Sequence, residues 1–306
     1  MRRVVFAAAL LLLAPVSAHA FCRTTTVPVP ASYSPTRGCF TEGKVLFWKN
    51  QCVSYSPEQD PSSTIPFATA KPVIDQAFQT WDASMCPSGS KVGIAASSTD
   101  PVTCDQVKYS ENGPNQNVIV FRDKAWPYND PNNTLGLTTV TFNADTGEIY
   151  DADMEINDTG GNLSVGDPVP VKGFDLLSVV THEAGHFFGL AHATSSTSTM
   201  YASYKPGTTS LRSLTADDVD GICTIYPSTA ERSVDKAVSP TGTEASDACD
   251  ATPRHGFGTT CAENPAPTES SSGCTTAASS HEEADATFLL AGAAVIGSFA
   301  RRRRRT

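Results

Sequence analysis

Apolar residues recur along this chain with two different periods, and the changes between them outline a fold. In TAKPVIDQAFQTWDAS (69–84), Val73, Ile74, Ala77, Phe78 and Trp81 fall at the spacing of one helical face. FDLLSVVTHEAGHFFGL (174–190) predicts a second helix, with Asp175 placed to cap its start and Gly189 near its end. LTADDVDGICTIY (214–226) predicts a third, capped by Thr215. Strand patterns lie before and between them. KVLFWKN (44–50) and CVSYS (52–56) come early, and NVIVF (117–121) has the unbroken apolar run of a buried strand. GLTTVTF (136–142) and EIYDADMEI (148–156) follow, joined by the turn residues of NADTG. Five strands and three helices in this order predict an α+β domain over 44–227, with no internal repeat.

Both ends lack this patterning. The opening MRRVVFAAALLLLAPVSAHA (1–20) has two arginines, an apolar run and a small-residue ending, the pattern of a secretory signal peptide cut before Phe21. Residues 21–43 are rich in Pro, Thr and Ser, which predicts an extended arm. After Pro227 the composition turns to Ser, Thr, Pro, Ala and acids, which reads as a linker over 228–273 or a small disulfide-tied loop. From 274 to 306, a cysteine and polar spacer precede ATFLLAGAAVIGSFA (286–300) and an arginine run. That apolar stretch predicts a short helix, below the ~20 residues of a typical membrane span, and its flanking arginines suit a cytoplasmic side. A disordered basic tail is the alternative. Glycine-cysteine, short apolar helix and terminal arginines together resemble the C-terminal sorting tails of myxobacterial surface proteins. That resemblance implies processing at Cys274 or attachment at the cell surface.

Charge and cysteine content narrow the function classes. The 306-residue chain carries a formal charge of −10, so phosphate repels it and nucleic acid is excluded as a partner. All nine cysteines lie in the exported part, where disulfides persist. No paired CxxC spacing supports a thiolate zinc site. Short loop closures suggest Cys86–Cys104 and Cys249–Cys261.

THEAGHFFGLAH (181–192) then concentrates three of the chain's six histidines. Residues four apart share a helix face, so His182 and His186 can bind one zinc ion. Glu183 sits beside that ion without ligating it and can accept a proton from metal-bound water. Catalytic zinc takes three protein ligands and keeps one position open. Gly189 can turn the chain back in the left-handed conformation, which lets His192 supply the third.

HEAGHFFGLAH is similar to the metzincin pattern HExxHxxGxxH. Met200 in STSTMY resembles the methionine turn of matrixins, the matrix-metalloproteinase-like branch, and on that resemblance forms a floor beneath the ligands. LTADDVDGICTIYP resembles the last matrixin helix, whose paired aspartates match Asp217 and Asp218 and brace that turn. AFQTW (77–81) and GEIYDADMEIND (147–158) resemble the first helix and the strand before the active site. The resemblance implies a metzincin-type domain, with an active-site helix against a twisted mixed sheet, and a zinc endopeptidase. An extended peptide would lie along GLTTVTF, with the specificity pocket near Tyr204, and the protein would act as a monomer outside the cell or on its surface. Where many matrixins have Met-Tyr-Pro-x-Tyr, this chain has Met-Tyr-Ala-Ser-Tyr (200–204). The PRCGxPD latency motif does not occur. No histidine lies between the central strands, so a second, structural zinc is not expected.

Asp151, Asp153, Glu155, Asn157 and Asp158 are close together and offer the oxygen ligands calcium takes, or else solvated turns. Two other function classes stay open. One is an inactive metzincin scaffold used for adhesion. The other is a zinc enzyme of a different family with a distant glutamate as its third ligand.

Overall fold

The computed structural model describes residues 21–103 and 107–258, together with the backbone of 288–293. Residues 1–20, expected to form a signal peptide, and Cys104, Cys261 and Cys274 lie outside the described residues. In chain order the strands are β1 (Cys22–Arg23), β2 (Cys52–Pro57), β3 (Ala95–Ser98), β4 (Val118–Arg122), β5 (Thr134–Phe142) and β6 (Ile149–Asn157). Shorter ones follow: β7 (Leu163–Ser164), β8 (Phe174–Asp175), β9 (Leu190–Ala191), β10 (Ser203–Tyr204), β11 (Glu231–Ser233), β12 (Thr243–Ala245) and β13 (Phe288–Ala293). The helices are α1 (Phe67–Asp82), α2 (Leu176–Phe187) and α3 (Ala216–Ile225).

Five strands form a mixed sheet in the order β3-β2-β4-β6-β5, which β13 and β10 extend beyond β5. All pairings are parallel except β5 with β6, the hairpin that the NADTG turn predicts. Its two faces differ because side chains alternate along a strand. Ala152, Met154 and Ile156 of β6 point into the main core with α1 and α2. Asp151, Asp153 and Glu155 therefore point to the opposite face, where Val118 and Val120 form a smaller cluster. On the helix side, Ala70, Ile74, Ala77, Phe78 and Trp81 of α1 are buried, matching the stripe in the sequence. Phe78 stacks on Tyr55 at 3.9 Å and meets Phe187 of α2 edge-on at 5.0 Å.

Residues 44–50 depart from their pattern. They make only isolated bridges at Val45, Phe47 and Asn50 instead of a sheet strand. Leu46, Phe47 and Trp48 are buried beneath the end of α2, where Trp48 Nε1 donates to the Phe187 carbonyl at 2.8 Å. An apolar run signals burial here, not strand pairing.

The cysteine pairing also differs from expectation. Cys22 bonds Cys39, Cys52 bonds Cys249 and Cys86 bonds Cys223. Cys86–Cys104 and Cys249–Cys261 are thereby overturned: close sequence spacing is no guide once α3 and the C-terminal segment fold back onto the first third of the chain. That segment, read from composition as a linker, packs against the domain as far as residue 258. Its hairpin β11–β12 carries Arg232, which is fully buried. The guanidinium donates to the carbonyls of Trp48 (2.8 Å), Asn50 (2.9 Å) and Gly93 (3.1 Å) and lies over the Tyr226 ring. Polar contacts such as those of Arg232 and of Arg23 with Ser233, together with the Cys52–Cys249 disulfide, hold this segment, and none of them leaves a hydrophobic period.

At the other edge, β13 runs parallel to β5 and antiparallel to β10. Residues 288–293 are thus extended, not helical as their apolar composition suggested, because β5 offers them main-chain partners. Among the described residues no helix is long and apolar enough to cross a membrane.

Candidate metal centre

Helix α2 presents the chemistry. Asp175 caps it, its Oδ2 accepting from Ser178 N at 2.8 Å as the sequence predicts. Every residue from Leu176 to Phe187 is buried, so the helix runs through the middle of the domain. Its last carbonyls are met by side chains: Trp48 reaches Phe187, and Tyr226 Oη donates to Phe188 at 2.8 Å. Gly189 follows with φ +90°, a conformation that penalises any Cβ, and its N–H bonds His186 O at 2.9 Å. The chain then reverses as β9 and returns His192 towards the helix.

His182, His186 and His192 converge, with one ligand atom from each all within 4.8 Å of one another. His186 Nε2 lies 3.1 Å from His182 Nε2 and 3.3 Å from His192 Nε2. Their tautomers follow from what surrounds two of them. His182 Nδ1 is 2.6 Å from Thr199 O and His186 Nδ1 is 2.8 Å from Leu190 O. A carbonyl can only accept, so both Nδ1 atoms carry the proton and both Nε2 atoms present lone pairs. Facing lone pairs at this distance repel unless a cation stands between them. Tetrahedral zinc with ligands at 2.0–2.1 Å would separate nitrogens by about 3.3 Å, which fits. Burial pushes both histidines down, His186 to about 4, with the neighbouring rings lowering His182 further. They are neutral ligands at neutral pH.

Glu183 sits one residue from the first ligand and is buried. Its Oε2 accepts from Thr138 Oγ1 at 2.8 Å, and its Oε1 has no protein partner. Burial raises its carboxyl to about 8, the Thr138 bond pulling the other way; a zinc ion held by the neighbouring histidines would favour the ionised form, the one that can accept a proton. A Cβ on Gly136 would come within 2.8 Å of this carboxyl, so any other residue there would push the Glu183 side chain from its place.

Met200 lies buried beneath the ligands, and Asp218 fixes its turn. The Asp218 carboxylate accepts from Ser198 Oγ, from Thr199 N at 2.9 Å and from Met200 N at 3.2 Å. It also accepts from Thr215 N at 2.8 Å and so caps α3. Asp217, expected to share the bracing, turns elsewhere and accepts from Phe21 N at 2.9 Å. The fit is closed by Gly185, where a Cβ would meet Met200 Sδ at 2.2 Å and Trp81 at 2.7 Å. Gly185, Gly136 and Thr138 are site residues the sequence reading missed. Only Gly185 carried a signal, as a glycine inside a confident helix.

Tyr204 is buried beside Phe174, and its hydroxyl donates to Thr208 O. The proposed calcium ligands are dispersed. Glu155 bonds Arg122 at 2.6 Å and Tyr128, and Asn157 donates to Pro131 O and Thr134 O. Asp158 accepts from Ser62 and Thr64. Asp153 accepts from Val118 N at 2.9 Å, while Asp151 beside it keeps a buried oxygen with no protein donor. Protein donors thus occupy most of the oxygens that calcium would need.

A family model described as Matrixin matches residues 47–227. Human neutrophil collagenase is 32% identical over 124 residues, covering 40% of this chain and 23% of that protein. Metalloendoproteinase 1 of Glycine max is 30% identical over 178 residues, covering 56% of this chain and 49% of its own length. Matrilysin of Rattus norvegicus is 35% identical over 103 residues, covering 33% of this chain and 34% of its own. The chain spans about half or less of the length of each.

Proposed function

The chain belongs to the matrixin family, and on that premise we propose that it is a zinc endopeptidase that cleaves extended peptide segments of proteins. The observation that carries the reading is the meeting of three imidazoles, two of them held neutral by burial, beside a buried carboxyl with one oxygen free of protein donors. Zinc held by His182, His186 and His192 would supply a Lewis acid that lowers the pKa of bound water. Glu183 takes the proton from the attacking water at Oε1, while Thr138 holds Oε2 still. The same carboxyl then hands the proton to the leaving amine. Substrate pairs its main chain with β5 in the place that β13 occupies in the structure, and the β13 pairing supports the ability of this side of β5 to accept a strand.

Three disulfides suit an oxidising compartment, which favours an exported protein acting outside the cell or held at its surface by its C-terminal tail. It acts as a monomer. Calcium has one foothold in this reading, the Asp151–Asp153 pair. The adhesion-scaffold alternative is disfavoured because every group the reaction needs is present. Incubating the purified protein with a proteome-derived peptide library, with and without a chelator, tests the proposal. Chelator-sensitive cleavage supports it, and a zinc-loaded protein that cuts nothing overturns it.

A further inference from the structure

We propose that β13 is a built-in competitive inhibitor: the chain closes its own substrate groove with residues 288–293, and the groove opens when that segment leaves. The inference rests on the endopeptidase reading above and adds its regulation. In the sheet, β13 lies between β10 and β5, antiparallel to the first and parallel to the second. On one wall Phe288 and Leu289 pair with Tyr204 and Ser203. On the other Leu289, Ala291, Gly292 and Ala293 pair with Thr134, Leu137, Thr138 and Thr139. Without β13, two unpaired strand edges would face each other about 10 Å apart, two strand spacings, which is room for one extended chain. The structure shows that chain to be the protein's own.

The inserted strand passes the reactive centre itself. Gly292 stands opposite Thr138, whose hydroxyl donates to the Glu183 carboxyl at 2.8 Å. Two positions earlier β5 crosses that carboxyl at Gly136, and there the pairing is irregular. The single β13 residue between Leu289 and Ala291 faces both Leu135 and Gly136. β13 also lies against α2, the helix that carries the first two histidines. A strand edge takes one partner at a time, so a peptide cannot pair with Thr134–Thr139 while 288–293 holds that place. The occupant belongs to the same chain, which makes its pairing intramolecular and indifferent to dilution. These residues also fall within the apolar stretch 286–300, and they cannot lie in the groove and in an anchoring helix at once. Access to the groove is therefore set by where the tail is.

The test uses zinc-loaded full chain with the recognition sequence of an added, narrowly specific serine protease at residues 265–270, so that the tail is cut off after folding. A second variant, Ala291→Pro with Gly292→Pro, removes the N–H of two successive residues and leaves the rest of the chain alone. After cutting and dilution, and in the proline chain, the apparent KM for a peptide should fall about tenfold or more, as when a groove open one-tenth of the time becomes fully open. Turnover number and zinc stoichiometry should not change. A synthetic peptide of residues 282–293 should restore competitive inhibition of the cut chain. Hydrogen exchange gives a readout apart from activity: the 134–139 amides should exchange faster once the tail is cut. An equal KM in intact, cut and proline chains overturns the proposal. So does exchange that cutting leaves unchanged, or self-cleavage within 288–293, which would make the segment a substrate. If no form cuts any peptide, the endopeptidase reading fails instead, while faster exchange on cutting would still support the tail as occupant of the groove.

Discussion

The two faces of the central sheet bury ionisable groups in opposite ways. On the helix face, Glu183, His182 and His186 are buried with capacity left over: one carboxylate oxygen lacks a protein donor and lone pairs confront each other. On the outer face, Glu155 is as deeply buried but fully engaged, by Arg122 and Tyr128. Burial costs a charged group its hydration, and a folded protein normally recovers that with local partners. Where it recovers only part, the remaining valence is available for a ligand or a proton. The contrast separates a reactive centre from structural glue better than burial or pKa shift can.

The sharpest way to break the contrast is to remove proton transfer and leave the metal. Glu183→Gln keeps the shape and the Thr138 contact but cannot accept a proton. Hydrolysis should fall by about 10²–10⁴-fold or more with zinc stoichiometry unchanged, read by peptide turnover and elemental analysis. Turnover near wild type would refute the catalytic role. The next largest effect is on stability. Asp218→Ala strands the N–H groups of Thr199 and Thr215 and the Ser198 hydroxyl in and beside a buried turn, while Met200 N keeps Ser198 Oγ. At about 1–3 kcal/mol for a buried donor left unsatisfied, this change should cost at least ~3 kcal/mol in denaturant unfolding and weaken zinc binding. Gly185→Ala should cost less, ~1–3 kcal/mol, because the added methyl meets Met200 Sδ, which can move, and Trp81, which cannot easily. A neutral result there would mean that the Met200 turn is not tightly packed on α2.

How much of this was legible in the sequence follows the range of the interactions. The helix stripe of α1, the Asp175 cap, the β5–β6 hairpin and the three histidines depend on residues within about ten positions, and all appear where their patterns put them. Thr138 and Gly136 were invisible. Their role comes from β5 passing over Glu183, 45 positions away from Thr138 in sequence, and threonine or glycine in a strand announces nothing. Arg232 was hidden for a related reason: a buried arginine that serves three carbonyls reads as a surface charge. Residues 44–50 misled because strand and buried loop share an apolar run, and only pairing tells them apart.

The smallest expected effect tests the outer face where it resembles the active one. Burial raises Asp151 to about 7 and Asp153 well above the usual carboxylate range, with the Asp151 charge adding to the latter. In the unfolded chain both ionise near pH 4. Between about pH 4 and 7 the folded protein therefore holds protons that the unfolded chain has lost. The contribution of this pair to stability should fall with rising pH across that window. Asp151→Asn is neutral at every pH and should flatten the decline, as measured by urea midpoints from pH 4 to 8. Calcium added at pH 8 separates two accounts of the pair. A rise in Tm that Asp151→Asn lacks would place a cation at the unmatched oxygen, and that face would then contain a second incompletely satisfied centre. No rise would mean that a retained proton alone quiets the charge, and the helix face would stay the one that keeps valence in reserve.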